Sequence, residues 1–465
     1  MEQLPDDVVL MVFRHVDVND LFTFRSVCKR LGGLAMHPGV WRHRRYSGLY
    51  MSSDGRKKLC RTLRLAPRLA YLSISIAPKE GHFLLYATTR CAVRRLTLEV
   101  SSTGSVHAAL MVRNQEALGQ LKVVELSLNS PPVADAAVLL GTLASTSGLE
   151  KLVFKRFGLV GGLSAGIMHA SMARPSLKYF KCSLSSESQP FVDLVLAGHA
   201  ATLEVVNLTE PFHFITTSTG SLPACMPNLR ELTCSLLPGM ETLGPSLTKV
   251  TLHVTPDMRQ GVLGATEMLR RAPKLRELTL KYRPAARTSA HVGVALVEAL
   301  TAWSGRSAVE VLEIDNNCEG EDRDDDDGVE FLPQLQPLLR TLPFLLSLRH
   351  LELTVYVPPD ELLLTITPET LPALRELKLR PMRWLPARCA HDWRHKDSVQ
   401  TLLSVNPALK FSVFTTPYCL KGQRESCGSC AQGCHNTSWD WDWEVEYDED
   451  DDVTRSDYQD WIHIQ

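Results

Sequence analysis

The sequence predicts an α/β solenoid, in which parallel strands form a concave wall and helices form a convex wall, with a small helical module before it and an acidic tail after it. Three observations predict this architecture. The phrase Leu-x-x-Leu-x-Leu recurs from residue 69 onward, at intervals of 26 or 28 residues between positions 93 and 229. Apolar residues in the first 41 positions have helical spacing, and residues 439–452 are almost entirely acidic or aromatic.

Composition narrows the classes of protein and of partner. The chain has 465 residues, of which 44% are hydrophobic and 22% charged, and its formal net charge is -2. This is typical of a globular protein with a large core, and it provides no global field toward nucleic acid or an anionic membrane. We therefore expect no nucleic acid and no membrane among its partners.

Two features of the sequence predict the cellular location: the pattern at the start of the chain and the positions of the cysteines. The start of the chain lacks the basic and apolar pattern of an export signal, and no apolar run approaches the ~18 residues of a membrane span. Most of the 12 cysteines stand singly in strand-like sequence, which is typical of a reducing compartment. We expect a cytoplasmic or nuclear protein, or one found in both.

The first 41 residues predict short helices. Asp6 and Asp7 follow Pro5 at an expected helix start, and Asn19 and Asp20 are expected to cap a second helix from Leu21. A module of about 40 residues cannot bury so much apolar surface by itself, so the remainder is expected to dock a partner. The alternative is a helical cap that seals the first repeat of the solenoid.

The order of anchors in this segment resembles an F-box. The matching stretches are Leu4-Pro5-Asp6-Asp7, Val12-Phe13, Asp20-Leu21, Val27-Cys28-Lys29 and Val40-Trp41. Leu31 stands where a Trp is usual, and Val40 where a Leu is usual. The resemblance implies a three-helix module over residues 1–48 that binds the Skp adaptor of cullin-RING ubiquitin ligases and, through it, a cullin. The adaptor-binding positions that it implies are Leu4, Pro5, Val9, Phe13, Leu21, Val27 and Trp41.

Repeats fill residues 68–415, after a basic linker or cap at 49–67. The repeat phrase begins about 13 times, at Leu69, Val93, Leu121, Leu149, Leu177, Leu203, Leu229, Leu247, Leu275, Val309, Leu348, Leu374 and Leu409. Alternation in Leu-x-Leu points apolar side chains inward, and segments such as 134–144 and 292–303 have helical spacing. Stacked strand and helix units would bury one continuous apolar spine.

This pattern resembles the ribonuclease-inhibitor-like leucine-rich repeats. The resemblance implies an Asn or Cys after each strand, which appears at Asn129 and Asn317 and is missing from most other repeats. We therefore expect weaker ladder bonding between repeats. The acidic insertion at 319–328 is expected to be a solvated loop.

Outward positions of the strands are the candidates for binding a target protein. Their mixed polarity favours protein recognition, and we see no basic stripe with interleaved aromatics of the kind that nucleic acid requires. The candidates are Glu125, Thr251, His253, Thr279, Lys281, Glu313, Asp315, Glu352, Lys378 and Arg380.

Two motifs suggest chemistry that we do not expect. Gly162-Leu163-Ser164-Ala165-Gly166 fits a nucleophile elbow, but it falls in the turn of a repeat without an assembled triad. Cys427 and Cys430 have the spacing of a zinc chelate, yet no second pair with that spacing follows. We expect no catalytic residue, metal or cofactor, and a disordered tail with cysteines and acidic residues over 416–465.

The expected function is that of a non-catalytic adaptor, which presents an unidentified target protein to a Skp-cullin-F-box ubiquitin ligase. The alternative is a repeat scaffold that binds proteins outside any ligase, with an F-box that is silent or docks the Skp adaptor alone.

Overall fold

The computed structural model describes most of the chain in two compact units, Met1–Leu229 and Arg230–Gln465. The described residues are 4–48, 53–76, 83–101, 103–129, 133–158, 174–209, 222, 226–254, 259–282, 294–301, 307–315, 335–355, 359–381, 393, 396–414 and 461–464. Among them, no helix has both the length and the apolar character that a membrane span requires.

The first unit opens with a cluster of helices. These are α1 (Asp6–His15), α2 (Val18–Val27), α3 (Lys29–Ala35), α4 (Pro38–Trp41) and, after a short strand, α5 (Ser53–Leu65). The cap of α2 differs from the expectation: it is Asp17, whose carboxylate accepts a hydrogen bond from the backbone N–H of Asn19 at 2.7 Å. Asn19 and Asp20 lie inside the first turn, because α2 begins three residues earlier than predicted.

Strands and helices alternate through the rest of the first unit. The strands are β1 (Arg45–Gly48), β2 (Arg68–Ile76), β3 (Ala92–Ser101), β4 (Val123–Asn129), β5 (Lys151–Phe157), β6 (Tyr179–Ser183) and β7 (Val205–Thr209). The helices between them are α6 (Phe83–Thr88), α7 (Ser105–Ala117), α8 (Val133–Ser145) and α9 (Gln189–His199). Each strand pairs in parallel with the next one in sequence.

The second unit follows the same plan. Its strands are β8 (Glu231–Ser235), β9 (Lys249–Val254), β10 (Glu277–Tyr282), β11 (Val311–Asp315), β12 (His350–Val355), β13 (Glu376–Pro381), β14 (Lys410–Phe414) and β15 (Trp461–Ile464). Its α-helices are α10 (Arg259–Arg270), α11 (Val294–Glu298), α12 (Leu335–Thr341), α13 (Asp360–Thr365) and α14 (Asp397–Val405). Pairing is parallel from β8 to β14.

The parallel sheet and its helices confirm the predicted α/β class. A strand begins within two residues of each of the thirteen positions at which the repeat phrase begins, from Leu69 inside β2 to Leu409 just before β14. Leucines of the phrase are buried, as Leu278 and Leu280 are in β10. Residues between them, such as Thr279, point to the opposite side of the sheet, which we call the outer face.

Backbone hydrogen bonds connect successive repeats even where the expected Asn is missing. Just before most of the repeat strands, an N–H donates to a carbonyl of the preceding repeat, as from Glu150 to Lys122 (2.8 Å), from Lys178 to Glu150 (2.9 Å) and from Glu204 to Lys178 (2.8 Å). The ladder therefore continues one residue beyond the strands. These backbone hydrogen bonds also connect repeats that lack the Asn side chain, whose absence led us to expect weaker bonding.

The sheet extends beyond the predicted repeats at both ends. The strand β1 lies within the segment predicted as helical module, yet it pairs in parallel with β2 from Arg45↔Tyr71 to Gly48↔Ile74. At the other end, β15 pairs antiparallel with β14, although residues 416–465 were predicted to be disordered. Neither strand contains the repeat phrase, so only pairing with a distant strand reveals it.

Candidate docking surface

The four N-terminal helices enclose a small aromatic core. The rings of Phe13 and Phe24 lie 4.9 Å apart, and those of Phe22 and Trp41 lie 5.8 Å apart. The indole N–H of Trp41 donates to the carbonyl of Ala35 at 2.8 Å, so the buried polar atom of the largest core side chain has a partner. The core fixes α1 and α2 against α3 and α4.

Large apolar side chains remain exposed outside this core. Leu4 is 40% exposed and Val27 is 61% exposed, while Met11 and Val12 on α1 are also on the surface. Four of the thirteen exposed large apolar side chains in the described part of the chain fall within residues 4–27. Such a concentration is typical of a surface that binds a partner. We call Leu4, Pro5, Met11, Val12 and Val27 the N-terminal apolar surface.

Arg30 holds part of this surface in place. Its guanidinium donates to the carboxylate of Asp6 at 2.7 Å and to the backbone carbonyl of Leu4. Because Arg30 lies in the first turn of α3, these bonds keep the Leu4–Pro5 segment beside the junction of α2 and α3. Val27 ends α2 three residues before Arg30, so the bonds of Arg30 bring the Leu4–Pro5 segment toward the end of α2. We call the exposed residues Leu4, Pro5 and Val27 the exposed corner of the module.

The adaptor-binding positions implied by the resemblance divide into two groups. Val9, Phe13, Leu21 and Trp41 are fully buried in the helical core. Leu4, Pro5 and Val27 are exposed. The first group shapes the module, and the second group is available to a partner. Met11 and Val12 are exposed on α1 as well, although neither was predicted as a site residue. Their position on α1, off the stripe formed by Val9 and Phe13, was the available signal.

Arg44 attaches the helical module to the sheet. Its side chain donates to the backbone carbonyls of Phe13, at 2.9 Å, and of Val16, and lies 5.6 Å from the Trp41 ring centroid. Its own carbonyl accepts from Ala70 in β2 at 2.8 Å. Burial lowers the pKa of Arg44, although the charge of Asp17 opposes this. The module is therefore positioned by the same unit that carries β1–β7.

Helix α5 occupies the segment predicted as a linker or cap. Arg61 lies 4.5 Å from the ring centroid of Phe22, and the Lys58 ammonium is 3.6 Å from the carboxylate of Asp17. Leu59 and Leu63 are buried. The basic residues of α5 therefore contact α2 and its cap, while its buried leucines hold the helix in the core of the first unit.

Nine of the ten candidate target-binding residues lie half-buried on the outer face of the second unit. One row across neighbouring strands holds Thr251, Thr279, Glu313, Glu352 and Lys378, and the next row holds His253, Lys281, Asp315 and Arg380. The structure therefore brings them into two adjacent lines on one surface, as the strand pattern predicted.

Two carboxylates on this surface differ in their electrostatics. Burial raises the pKa of Glu313, with the charges of Glu352 and Asp315 adding to the effect. Burial alone would also raise the pKa of Glu352, but hydrogen bonds with His350 and Arg380 outweigh it and lower the pKa. Glu313 and Asp315 form no ion pair with another described residue; they accept hydrogen bonds from Thr279 (3.1 Å) and Thr354 (2.9 Å).

Glu125 is the tenth candidate, and its surroundings differ. Its side chain is only 4% exposed, because Arg95 bonds one carboxylate oxygen, while the Lys155 ammonium lies 3.4 Å from the other. Thr97 donates to the same oxygen as Lys155 at 3.3 Å. Glu125 therefore organises its neighbours on the outer face of the first unit and is itself covered by them.

Several motifs from the sequence lie outside the described residues. They are Ser164, the acidic insertion at 319–328, and Cys427, Cys430 and Cys434. Within the described ranges, no group of three His, Cys, Asp or Glu side chains is arranged to hold a metal ion. Burial raises the pKa of the Cys91 thiol to about 12 and also raises that of Cys182, so both thiols are protonated and inert at neutral pH.

Comparisons with known proteins give a family match for the N-terminal segment and a likeness to solved structures. A chain in the crystal structure of the yeast Rad7 and Elc1 complex is similar over 87% of the present chain and 92% of its own length, with 11% sequence identity and a TM-score of 0.33. No curated protein sequence matches the chain. The F-box domain family matches residues 1–43, the segment that contains α1–α4 and the N-terminal apolar surface.

Proposed function

We propose that the chain is the substrate-recognition adaptor of a Skp-cullin-F-box ubiquitin ligase. The observation that carries the proposal is the exposed corner formed by Leu4, Pro5 and Val27 within residues that match an F-box domain. F-box domains bind Skp-type adaptors, and an exposed apolar corner on a preformed helical module is the kind of surface that such a partner buries. Through the adaptor, the chain would reach a cullin.

The body of the chain would act as a leucine-rich-repeat solenoid that binds a target protein. Thirteen parallel strands at the repeat positions, with helices between them, support this part of the proposal. Proteins of this construction bind partners on an extended strand surface. The outer-face residues from Thr251 to Arg380 are the proposed contacts in the second unit.

The proposed contribution to ubiquitination is proximity. A target held on the sheet and a ubiquitin-charged enzyme held through the Skp adaptor would meet at a raised effective concentration, so the chain itself supplies no nucleophile. Cys91, Cys182 and Cys234 are buried and form no disulfide within the described residues, which supports a cytoplasmic or nuclear location for this activity, since buried reduced cysteines are typical of a reducing compartment.

Co-purification with the Skp adaptor and a cullin tests the proposal. The full chain should retain both proteins, and Leu4→Ala/Pro5→Ala should lose both, because the apolar corner is removed. A matched control is Leu110→Ala on α7, where a leucine with 51% exposure lies away from the module. Unchanged retention by the double variant would remove the ligase function. Retention of the adaptor without a cullin would instead make the chain a scaffold outside a ligase.

A further inference from the structure

The outer face of the first unit has an excess of positive charge, which becomes visible only when the strands are paired. Across β1–β7, its charged residues are two carboxylates, Glu99 and Glu125, and six cations, Arg45, Arg95, Lys151, Lys155, Arg156 and Lys181. The outer face of the second unit is close to balanced, because cations such as Lys378, Arg380 and Lys410 alternate there with Glu352 and Glu376.

A β-bulge concentrates two of these cations. The register of β5 against β4 shifts after Leu126↔Phe154, so that Ser127 pairs with Arg156 and Lys155 is the extra residue. In a regular strand, Lys155 and Arg156 would point to opposite faces of the sheet. The bulge lets Lys155 reach the outer-face carboxylate of Glu125 while Arg156 takes an outer-face position.

The cations differ in how far the protein already neutralises them. Glu125 binds Arg95 and Lys155, so one buried carboxylate serves two of them. Arg156 and Lys181, on neighbouring strands, form no ion pair with another described residue. The described part of the chain therefore does not neutralise their charge, which is adjacent to the half-exposed side chain of Lys155.

The extent of the cations indicates a polypeptide with several negative charges. From Arg45 on β1 to Lys181 on β6 there are five strand spacings, or about 24 Å, which is the length of about seven residues of extended chain. A single phosphate group is much smaller than this and would require donors that converge on one point. A row of carboxylates matches the arrangement better.

The aromatic residues of this face argue against single-stranded nucleic acid. Binding of bases uses free aromatic faces for stacking. Here the guanidinium carbons of Arg45 and Arg95 lie 5.2 and 5.6 Å from the ring centroid of Tyr71, and the Lys151 ammonium lies 4.3 Å from that of Tyr179. Cations already occupy these rings, so the rings orient positive charge and are not open for bases.

We propose that the outer face of β1–β6 binds a segment of the target protein that is rich in Asp and Glu, with Arg156 and Lys181 as its principal contacts. This deepens the proposed function, on which it rests for the identity of the bound protein as a target. Charge complementarity selects the occupant, and the fixed attachment of the helical module to β2 through Arg44 would hold that segment at a constant position relative to the docked adaptor.

Fluorescence anisotropy with the purified full chain tests this binding. The probe is a labelled peptide of about 12 residues with alternating Glu, Asp and Gly, and its control replaces Glu and Asp with Gln and Asn. The acidic peptide should bind, and the neutral one should bind at least about 10-fold more weakly at low salt. Arg156→Glu/Lys181→Glu should also weaken binding of the acidic peptide at least about 10-fold.

A matched control changes the net charge equally at sites away from the outer face. Arg90→Glu/Lys274→Glu alters two exposed residues before β3 and β10, and it should leave the affinity within about two-fold of that of the unchanged chain. Equal loss in both double variants would overturn the site, as would no binding of the acidic peptide. Tighter binding of a peptide whose one charged group is a phosphoserine, or of single-stranded DNA, would overturn the choice of partner.

Failure of this inference can be distinguished from failure of the proposed function. Arg156→Glu/Lys181→Glu should still bind the Skp adaptor, because the N-terminal apolar surface is unchanged. Leu4→Ala/Pro5→Ala should still bind the acidic peptide. Loss of adaptor binding in the first variant, or of peptide binding in the second, would contradict the claim that the adaptor and the peptide bind separate surfaces.

Discussion

Glu125 is the one buried Asp or Glu side chain in the described part of the chain, and its burial depends on Arg95, Thr97 and Lys155. A carboxylate removed from water is stable only when such partners replace its hydration. Glu125 is therefore a structural centre of the first outer face, although its position in the strand pattern predicted a contact with the target.

Replacing this carboxylate should destabilise the protein. Glu125→Gln should lower the free energy of unfolding by about 2 kcal/mol, because Arg95 and Lys155 lose a shared counter-charge at a buried site. Urea unfolding measures this change. Glu277→Gln is the matched control, since Glu277 pairs with Lys249 at 2.9 Å with both side chains about half exposed, and its loss should cost less than about 0.5 kcal/mol. Equal effects would contradict the role of burial.

Replacing the carboxylate of Glu313 should have the opposite effect on stability from replacing that of Glu125. Burial and the nearby Glu352 and Asp315 raise its pKa, so its ionised form opposes folding at pH values above that raised pKa. Glu313→Gln should therefore stabilise the protein at pH 7. The gain should shrink as the pH falls and vanish below the ordinary Glu pKa of 4.5, where both folded and unfolded states are protonated. Thermal unfolding of both proteins from pH 4 to 8 checks this, and a destabilised variant at pH 7 would contradict it.

At the scale of the element, the packing of α3 against α2 depends on a small residue. A Cβ built on Gly32 would lie 2.9 Å from the backbone carbonyl oxygen of Arg25, whereas a Cβ on the adjacent Gly33 has no atom within 4 Å. The two glycines share a helix and differ only in what they face. Replacing each of them with alanine therefore distinguishes the effect of close packing from that of helix propensity.

This pair predicts opposite changes in stability. Gly32→Ala should destabilise the protein by about 1–3 kcal/mol, because backbone must move to admit the methyl group. Gly33→Ala should stabilise it by about 0.5–1 kcal/mol through the lower entropy of the unfolded chain. Thermal unfolding of the two variants measures both. A loss of stability in Gly33→Ala, or none in Gly32→Ala, would contradict the claim that α3 packs closely against α2 at Gly32.

Elements with a local signature could be predicted from the sequence. Strands β2–β14 follow the repeat phrase because each needs two or three buried apolar residues in alternation, as Leu278 and Leu280 provide in β10. The strands β1 and β15 lack that signature, and the bulge at Lys155 is a matter of register between strands. Each depends on pairing with a distant residue, which a single sequence does not display.

The candidate docking site could be predicted only in part for a related reason. The F-box resemblance identified the right segment, but a motif does not distinguish a buried Phe13 from an exposed Val27. Helical periodicity could have separated buried from exposed residues only on α1, where Val9 and Phe13 form the buried stripe. The basic outer face of the first unit was missed because Lys155 and Arg156 look like residues on opposite faces until the bulge is known.

At the scale of the whole molecule, the first unit combines two surfaces with different chemistry. The N-terminal apolar surface suits a partner that buries it, and the outer face of β1–β6 suits an acidic segment. Arg44 fixes the helical module to β2, so a docked adaptor and a bound segment would have a defined separation. An adaptor that acts by proximity requires such a fixed geometry.

A titration of the Skp adaptor into the full chain measures whether the exposed corner of the N-terminal module docks that adaptor. Val27→Asp should weaken adaptor binding by at least about 30-fold, the effect of about 2 kcal/mol at an interface hot spot, without lowering the unfolding temperature. Leu110→Asp, at a comparably exposed leucine on α7, should bind like the unchanged chain. Equal affinity of Val27→Asp and the unchanged chain would contradict docking at that corner.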